Sequence, residues 1–286
     1  MNHPAEVAIH SFLQNVMLGK ASMDKAIVDL IAKDVGEAVG RQFSGEKRNF
    51  RLRMSNIGRK KCQLWFDKNK PSEKISDSPY FLINMILGDI IEAVFKGLLR
   101  ASNVEFVDSE EVSLPIKGGH VDGTYDLVLN GKVDDVKSAS PWAYENKFTD
   151  FETLKGKDSF GYIAQLVGYA KAKGVPVGGW WVVNKANGNF KYVGAEDVDV
   201  DEEMKNIQNT VDYINNDEPF ERCYEPVEET YYGKPSGNLK LGVECSFCSY
   251  REMCWDNLKV LPSKVSRSAN PPLVNYVKLA DAQGTV

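Results

Sequence analysis

The sequence predicts an α/β fold, and three features carry that prediction. Residues 79–193 alternate a helix, strands, a second helix and a further strand, the pattern of helices laid on a sheet. Asn130-Gly131 stands between Leu127, Val128 and Leu129 on one side and Val133 and Val136 on the other, the strongest short-range signal for a two-residue hairpin turn. The stretch PYFLINMILGDIIEAVFKGLL, 79–99, is apolar enough for a helix packed on such a sheet, and Pro79 is placed to start it.

Taken in order, residues 5–40 show helical spacing, with Val7, Phe12, Val16, Ile27, Leu30 and Ile31 expected to be buried. Arg41 to Lys61 holds eight lysines and arginines against one acid, Glu46, a block that can line a phosphate-binding surface. The helix at 79–99 leads into a strand at 104–114 and then into the hairpin. SASPWAYENKF, 138–148, breaks the pattern and reads as a loop. Gly161 to Lys173 is a helix with Ile163, Leu166, Val167 and Ala170 on its inward stripe. Val177 to Asn184 is a strand, and Gly188 turns the chain into Phe190 to Val193. Residues 197–216 read as a helix, and the acidic run that follows, from Asp217 to Glu229, as solvated surface. Residues 262–286 read as a tail.

With 286 residues, 43% hydrophobic and 26% charged, the chain has the composition of a soluble globular protein with a sizeable core. A net charge of -5 excludes a globally basic nucleic-acid binder, so any basic site is local. No run approaches the length of a membrane span, and MNHPAEVAIHSFLQ lacks the pattern of a secretion signal. The expected location is therefore the cytoplasm, away from membranes. In that reducing compartment clustered cysteines suggest metal before disulfide.

Chemistry gathers in two places. Asp135 and Lys137 are two apart on a strand and point the same way, with Val136 opposed. Asp126 lies across the turn and brings a second carboxylate to the same end of the sheet. Two carboxylates and a lysine together can hold a hard divalent cation and orient a water beside it. An acid-x-Lys pair alone is common on exposed strands, so its meaning comes from its surroundings. Gly88 and Glu92 share one helix face, and so do Gln165 and Tyr169. By itself Glu92 reads as an exposed residue on the polar side.

The second place is CSFCSYREMC, where Cys245, Cys248 and Cys254 stand close enough to ligate one soft metal centre. Zinc or an iron–sulfur cluster ordinarily takes a fourth thiolate, for which Cys62 and Cys223 are the candidates.

These parts together resemble the RecB-like branch of the PD-(D/E)XK nucleases. The nearer resemblance is to its iron–sulfur members: the AddB nuclease domain, the CRISPR-adaptation exonucleases and related phage exonucleases. The motifs stand in order as Gly88-Asp89-Ile90-Ile91-Glu92, Gly123-Thr124-Tyr125-Asp126, Asp135-Val136-Lys137 and Gln165-Leu166-Val167-Gly168-Tyr169. The resemblance covers about residues 50–258 and implies a restriction-endonuclease-like core, a mixed central sheet flanked by helices. It also implies helical N- and C-terminal segments clasped by a [4Fe–4S] cluster on Cys62, Cys245, Cys248 and Cys254, leaving Cys223 over. The expected segments are 1–75 with the basic block and first cluster cysteine, 76–195 as the nuclease core, 196–260 as a C-terminal helix with the three cysteines, and 261–286 as the tail. Two departures stand out. Glu92 occupies a position where many relatives carry His, and Asp134 before Asp135 opens a one-residue register slip, which strand alternation resolves toward Asp135.

The implied function is a DNA exonuclease that hydrolyses phosphodiester bonds with Mg²⁺ or Mn²⁺, in phage or bacterial DNA recombination, replication or degradation. Asp126 and Asp135 are the expected metal ligands, with Glu92 direct or through water and the Val136 carbonyl as a further ligand. Lys137 is expected to orient the water or stabilise charge on the phosphate, and Gln165 and Tyr169 to hold the DNA backbone and position the lysine. The expected partner is DNA, as single strands or ends, and self-association or a recombination or replication partner is compatible with the reading. A structure-specific endonuclease on the same core is one alternative. A non-catalytic DNA-binding protein with a structural zinc site is the other.

Overall fold

A computed structural model describes residues 3–45, 49–75 and 78–280. The chain divides into two compact units, Met1–Gly58 with Ser78–Asp212, and Arg59–Asp77 with Tyr213–Val286. The boundaries thus differ from a simple succession of segments. The helix bearing Cys62 folds with the C-terminal residues and not with the helices before it.

The first unit is mixed α/β, with a mostly antiparallel central sheet flanked by helices. Its strands are β1 (Phe106–Ile116), β2 (Gly119–Leu129), β3 (Lys132–Ala139), β4 (Val177–Asn184) and β5 (Phe190–Gly194), in that order across the sheet. Only the β3–β4 pair is parallel. Parallel neighbours need a crossover, and residues between β3 and β4 supply it as three helices: α5 (Pro141–Asn146), α6 (Phe151–Gly156) and α7 (Tyr162–Lys173). The stretch expected to be a loop is therefore partly helical: Ser140 caps α5 by accepting from the Ala143 amide at 3.2 Å, with Pro141 in the first turn. The hairpin turn falls at Asn130-Gly131, both with positive φ (51° and 76°), as a type I′ turn requires.

Two apolar layers sandwich the sheet. One contains α7, with Ile163, Leu166, Val167, Tyr169 and Ala170 packed with Tyr125, Val133 and Trp180. It also takes Ile207 and Val211 of the acidic-flanked helix α8 (Val200–Asn215). The other contains Ala5 and Ile9 of α1 (Pro4–Met17) with Phe95 and Leu99 of α4 (Tyr80–Ala101), packed with Leu127, Val136 and Trp181. Helix α2 (Lys25–Gln42) packs on α4 where Gly97 admits the side chains of Ile27 and Ile31. The expectation for the N-terminal helices needs correcting. Val7, Val16 and Leu30 are exposed, because the stripe that α1 and α2 bury is narrow and centred on Ala5, Ile9, Ile27 and Ile31.

The start of α7 is fixed by a backbone contact. Gly161 has φ 78°, and a Cβ there would lie 2.2 Å from the Gly58 carbonyl carbon, so neither the conformation nor the space admits a side chain. The amides of Gly161, Tyr162 and Ile163 all donate to the Asp158 carboxylate, at 2.9, 3.0 and 2.9 Å.

The second unit contains α3 (Lys61–Asn69), the short helices α9 (Val243–Ser246) and α10 (Arg251–Cys254), and a four-stranded antiparallel sheet. Its strands are β6 (Val227–Tyr231), β7 (Lys234–Lys240), β8 (Lys259–Pro262) and β9 (Leu273–Lys278), ordered β6-β7-β9-β8. Two expectations are corrected here. The segment read as a tail supplies β9, an inner strand of the sheet. The acidic run is not solvated throughout: Glu229 is 1% exposed and accepts from Tyr276 Oη at 2.7 Å, Ser263 Oγ at 3.0 Å and Asn238 Nδ2 at 3.0 Å. Three donors hold its carboxyl below the usual range against the effect of burial.

Candidate active site and cysteine group

In the first unit β2, β3, α4 and α7 bring the expected residues together. Alternation along β3 sets which acid faces which layer, and the register shift opposite Val133–Asp135 falls on β4, where three steps from Val177 to Trp180 meet two on β3. Asp134 turns toward the α1–α4 side, where it accepts from the Gly179 amide at 2.9 Å, Trp181 Nε1 at 3.0 Å and Tyr192 Oη at 3.1 Å. Asp135 turns the other way, toward α7. Its Oδ2 is buried, has no hydrogen bond of good geometry, and lies 2.6 Å from Lys137 Nζ. Lys137 Nζ also donates to Gln165 Oε1 at 3.1 Å, and Gln165 Nε2 donates to Tyr169 Oη at 3.3 Å. Asp126 Oδ2 accepts from the Val136 amide at 2.7 Å.

Glu92 is not the free surface acid that its sequence position suggests. Its Oε1 lies 2.8 Å from Lys96 Nζ, a buried ammonium that also reaches Asp108 at 3.3 Å. Gly88, one turn earlier, lets α4 pass β3 beside Ser138. An added Cβ would lie 3.4 Å from Ser138 Oγ, ordinary contact, so this glycine is a mild spacer. Gly123 is the tighter one: a Cβ there would lie 2.5 Å from Met54 Cβ and 2.9 Å from Tyr169 Cε1.

The three carboxyls repel one another. Burial raises the Glu92 pKa to about 7, with Asp126 adding to the rise. Burial and the Asp135 charge raise Asp126 to about 7. Asp135 is raised by burial and by Glu92, against the pull of Lys137. Burial alone would lower Lys137, but Asp135 and Asp126 outweigh it and hold the ammonium protonated well above its usual range. Among the described residues no group of three His, Cys, Asp or Glu side chains stands ready to hold a metal ion. Each acid has instead taken a neighbouring donor, Asp126 the Val136 amide and Asp135 the Lys137 ammonium. The donor set nonetheless suits a hard divalent cation, which would relieve the repulsion that burial amplifies.

The Asp134 contacts yield a prediction. Asp134→Ala strands three buried donors, and the protein should lose about 2–4 kcal/mol of stability in denaturant melts. An unchanged midpoint would mean that water replaces the carboxylate.

In the second unit five thiols share one neighbourhood. The Cys62 amide donates to Cys223 Sγ at 3.1 Å. The hydrogen bond from Cys62 outweighs burial and brings the Cys223 thiol down to about 6, with Lys60 and Lys61 adding to the effect. Burial, with Cys254 and Cys248 nearby, pushes Cys245 up to about 11. Burial raises Cys254 as well, with Cys248 and Cys223 contributing. All five cysteines are free thiols. Thiolates are the donors a soft metal centre takes, yet among the described residues no three of these thiols are gathered to hold one metal ion.

The described residues of the basic block are divided between the two units. Arg41 pairs with Asp89 at 3.1 Å, and Arg53 is bridged through its backbone to Asp122. Lys60 and Lys61 lie in the other unit, over the rings of Tyr224 and Tyr213. Lys47 and Arg48 fall outside the described residues. Sequence reasoning missed Lys96, although its i,i+4 spacing from Glu92 is a readable ion-pair signal. It also missed Lys147 and Tyr162, which no local pattern announces.

No protein-family model and no curated protein matches the chain. Among solved structures, the crystal structure of SSO0001 is similar at 13% identity with a TM-score of 0.42, covering 82% of this chain and 98% of that one. Among the described residues no helix is long and apolar enough to cross a membrane.

Proposed function

We propose that the chain is a metal-dependent deoxyribonuclease, an exonuclease on a restriction-endonuclease-like core. The observation that supports this most is Lys137, buried beside Asp135 at 2.6 Å and bonded to Gln165, with Asp126 on the neighbouring strand. A lysine kept so firmly protonated is no base. It suits stabilisation of negative charge on a phosphate in the transition state. Gln165, itself bonded to Tyr169, fixes where that charge points. Asp126 and Asp135 would hold Mg²⁺ or Mn²⁺, with Glu92 directly or through water and the Val136 carbonyl beside them. Such a bound cation supplies Lewis-acid polarisation of the phosphate and a lower pKa for the attacking water. Cys62, Cys245, Cys248 and Cys254 would hold a [4Fe–4S] cluster with a structural role. Digestion of end-labelled linear, circular and single-stranded DNA with Mg²⁺ or Mn²⁺ tests the reading. Loss of linear DNA from its ends supports it, cutting of circles shifts it to an endonuclease, and no hydrolysis of any substrate removes it.

The raised carboxyls give a pH prediction. Glu92, Asp126 and Asp134 all titrate near 7 when folded and near 4 when unfolded. Between those values the folded chain binds more protons, so without divalent cations stability should fall as pH rises from about 4 to about 7 and then level off. Melting temperatures in chelator should show that fall, and Mg²⁺ should reduce it. Identical pH profiles with and without Mg²⁺ would argue against a cation at these acids.

A further inference from the structure

Lys147, at the end of α5, is 6% exposed, yet among the described residues nothing accepts a hydrogen bond or forms an ion pair with its ammonium. Its Nζ lies instead over three rings, 4.5 Å from the centre of Tyr162, 5.0 Å from Phe160 and 5.8 Å from Phe148. Tyr162 is shared with the site already described, since Lys137 Nζ lies 5.1 Å from the same ring. Phe160 stacks on Tyr162 with centres 5.7 Å apart and planes 16° apart, while remaining 58% exposed. The turn that carries both rings is held by the Asp158 carboxylate and the Gly58–Gly161 contact, so the rings are presented on a fixed support.

Two features call for a ligand. Among the described residues the Lys147 ammonium lies against rings and meets the Asp158 carboxylate only beyond ion-pair distance, so it can take a further anion. A flat aromatic ring held at the surface, backed by a second ring, offers a stacking face. One chemical group satisfies both: a nucleotide whose base lies on the ring and whose phosphate meets the ammonium. A base inside a duplex has both faces covered by its neighbours, so within a strand only an unpaired nucleotide can use the seat.

We propose that Phe160 and Lys147 form a binding seat for an unpaired nucleotide of a DNA strand, one ring's width from Lys137. Phe160 takes the base and Lys147 takes a phosphate adjoining the one that Lys137 faces. The inference rests on the nuclease reading for what happens to that strand, but the binding itself is separately measurable.

The test uses the full chain in chelator with single-stranded DNA oligonucleotides carrying 2-aminopurine at successive positions from either end. Stacking quenches this base, so the wild type should show quenching confined to one or two positions. Phe160→Ala should abolish that quench and Phe160→Trp should restore it; Phe160 is exposed, so neither change threatens folding. An abasic nucleotide at the quenched position should weaken wild-type binding about tenfold and weaken Phe160→Ala little further. Lys147→Met should weaken binding and reduce the salt slope by about one. The same label inside a duplex, already quenched by its neighbours, should show no further change when the protein is added. A wild type without position-specific quenching, an equal abasic penalty in Phe160→Ala, or an equal protein-induced change inside duplex DNA overturns the seat. Cleavage without quenching removes the seat and keeps the nuclease. Quenching without cleavage under any divalent cation keeps the seat and removes the nuclease.

Discussion

Asp135→Ala and Lys137→Ala should each lower DNA cleavage by about 10²–10³-fold while the protein stays folded. The expectation follows from what each side chain does in the resting structure. Asp135 is 2% exposed, and burial and Glu92 both disfavour its charged form, so removing it should cost the fold little. Lys137 is held protonated between two acids and aimed by Gln165. Single-turnover digestion with Mn²⁺, beside a thermal melt of each variant, measures both halves of the claim. Full activity in Asp135→Ala would sink the nuclease assignment, and full activity in Lys137→Ala would remove the lysine's role. Asp134→Ala is the contrast within one strand, since it should damage stability.

The second large effect concerns iron. Protein purified without oxygen should be brown, and Cys62→Ser should lower its iron content, bleach its visible absorbance and lower its melting temperature. Losing one of four ligands releases a long covalent loop in the unfolded chain, an effect on the order of 4 kcal/mol by analogy with a long-loop disulfide. Cys223→Ser should keep the iron. Cys223 Sγ accepts the Cys62 amide, the contact expected of a hydrogen-bond partner and not of a ligand. Iron lost from Cys223→Ser and kept in Cys62→Ser would make Cys223 the fourth ligand. Colourless protein containing zinc would remove the cluster altogether.

The central hairpin and α7 were legible because each rests on local rules, the Asn130-Gly131 turn and the spacing of Ile163, Leu166, Val167 and Ala170. Strand alternation also puts Asp135, and not Asp134, on the face of Lys137, and the two side chains do take opposite orientations. The state of Glu92 was not legible, because its environment is set by Lys96 and by Asp126 on another element. Glu229 and β9 were missed for a related reason. Acidic residues and a Ser-, Asn- and Pro-rich lead-in read as surface, and only the long-range partners Tyr276, Ser263 and Asn238 reverse that. Lys147 and the Phe160–Tyr162 pair lie in crossover residues with no periodicity to read.

The position of β9 has a consequence for how the chain is made. It follows β6, β7 and β8 in the sequence, yet it stands between β7 and β8 and brings the hydroxyl that meets Glu229. Until Tyr276 has emerged, the second sheet has a gap at its middle and a carboxylate lacking one of its three donors. The sheet therefore closes only after residue 276 has emerged, although α3, its earliest companion, was synthesised some 200 residues before. Ribosomes stalled at residue 270 should carry a nascent chain whose sheet residues a protease can still reach.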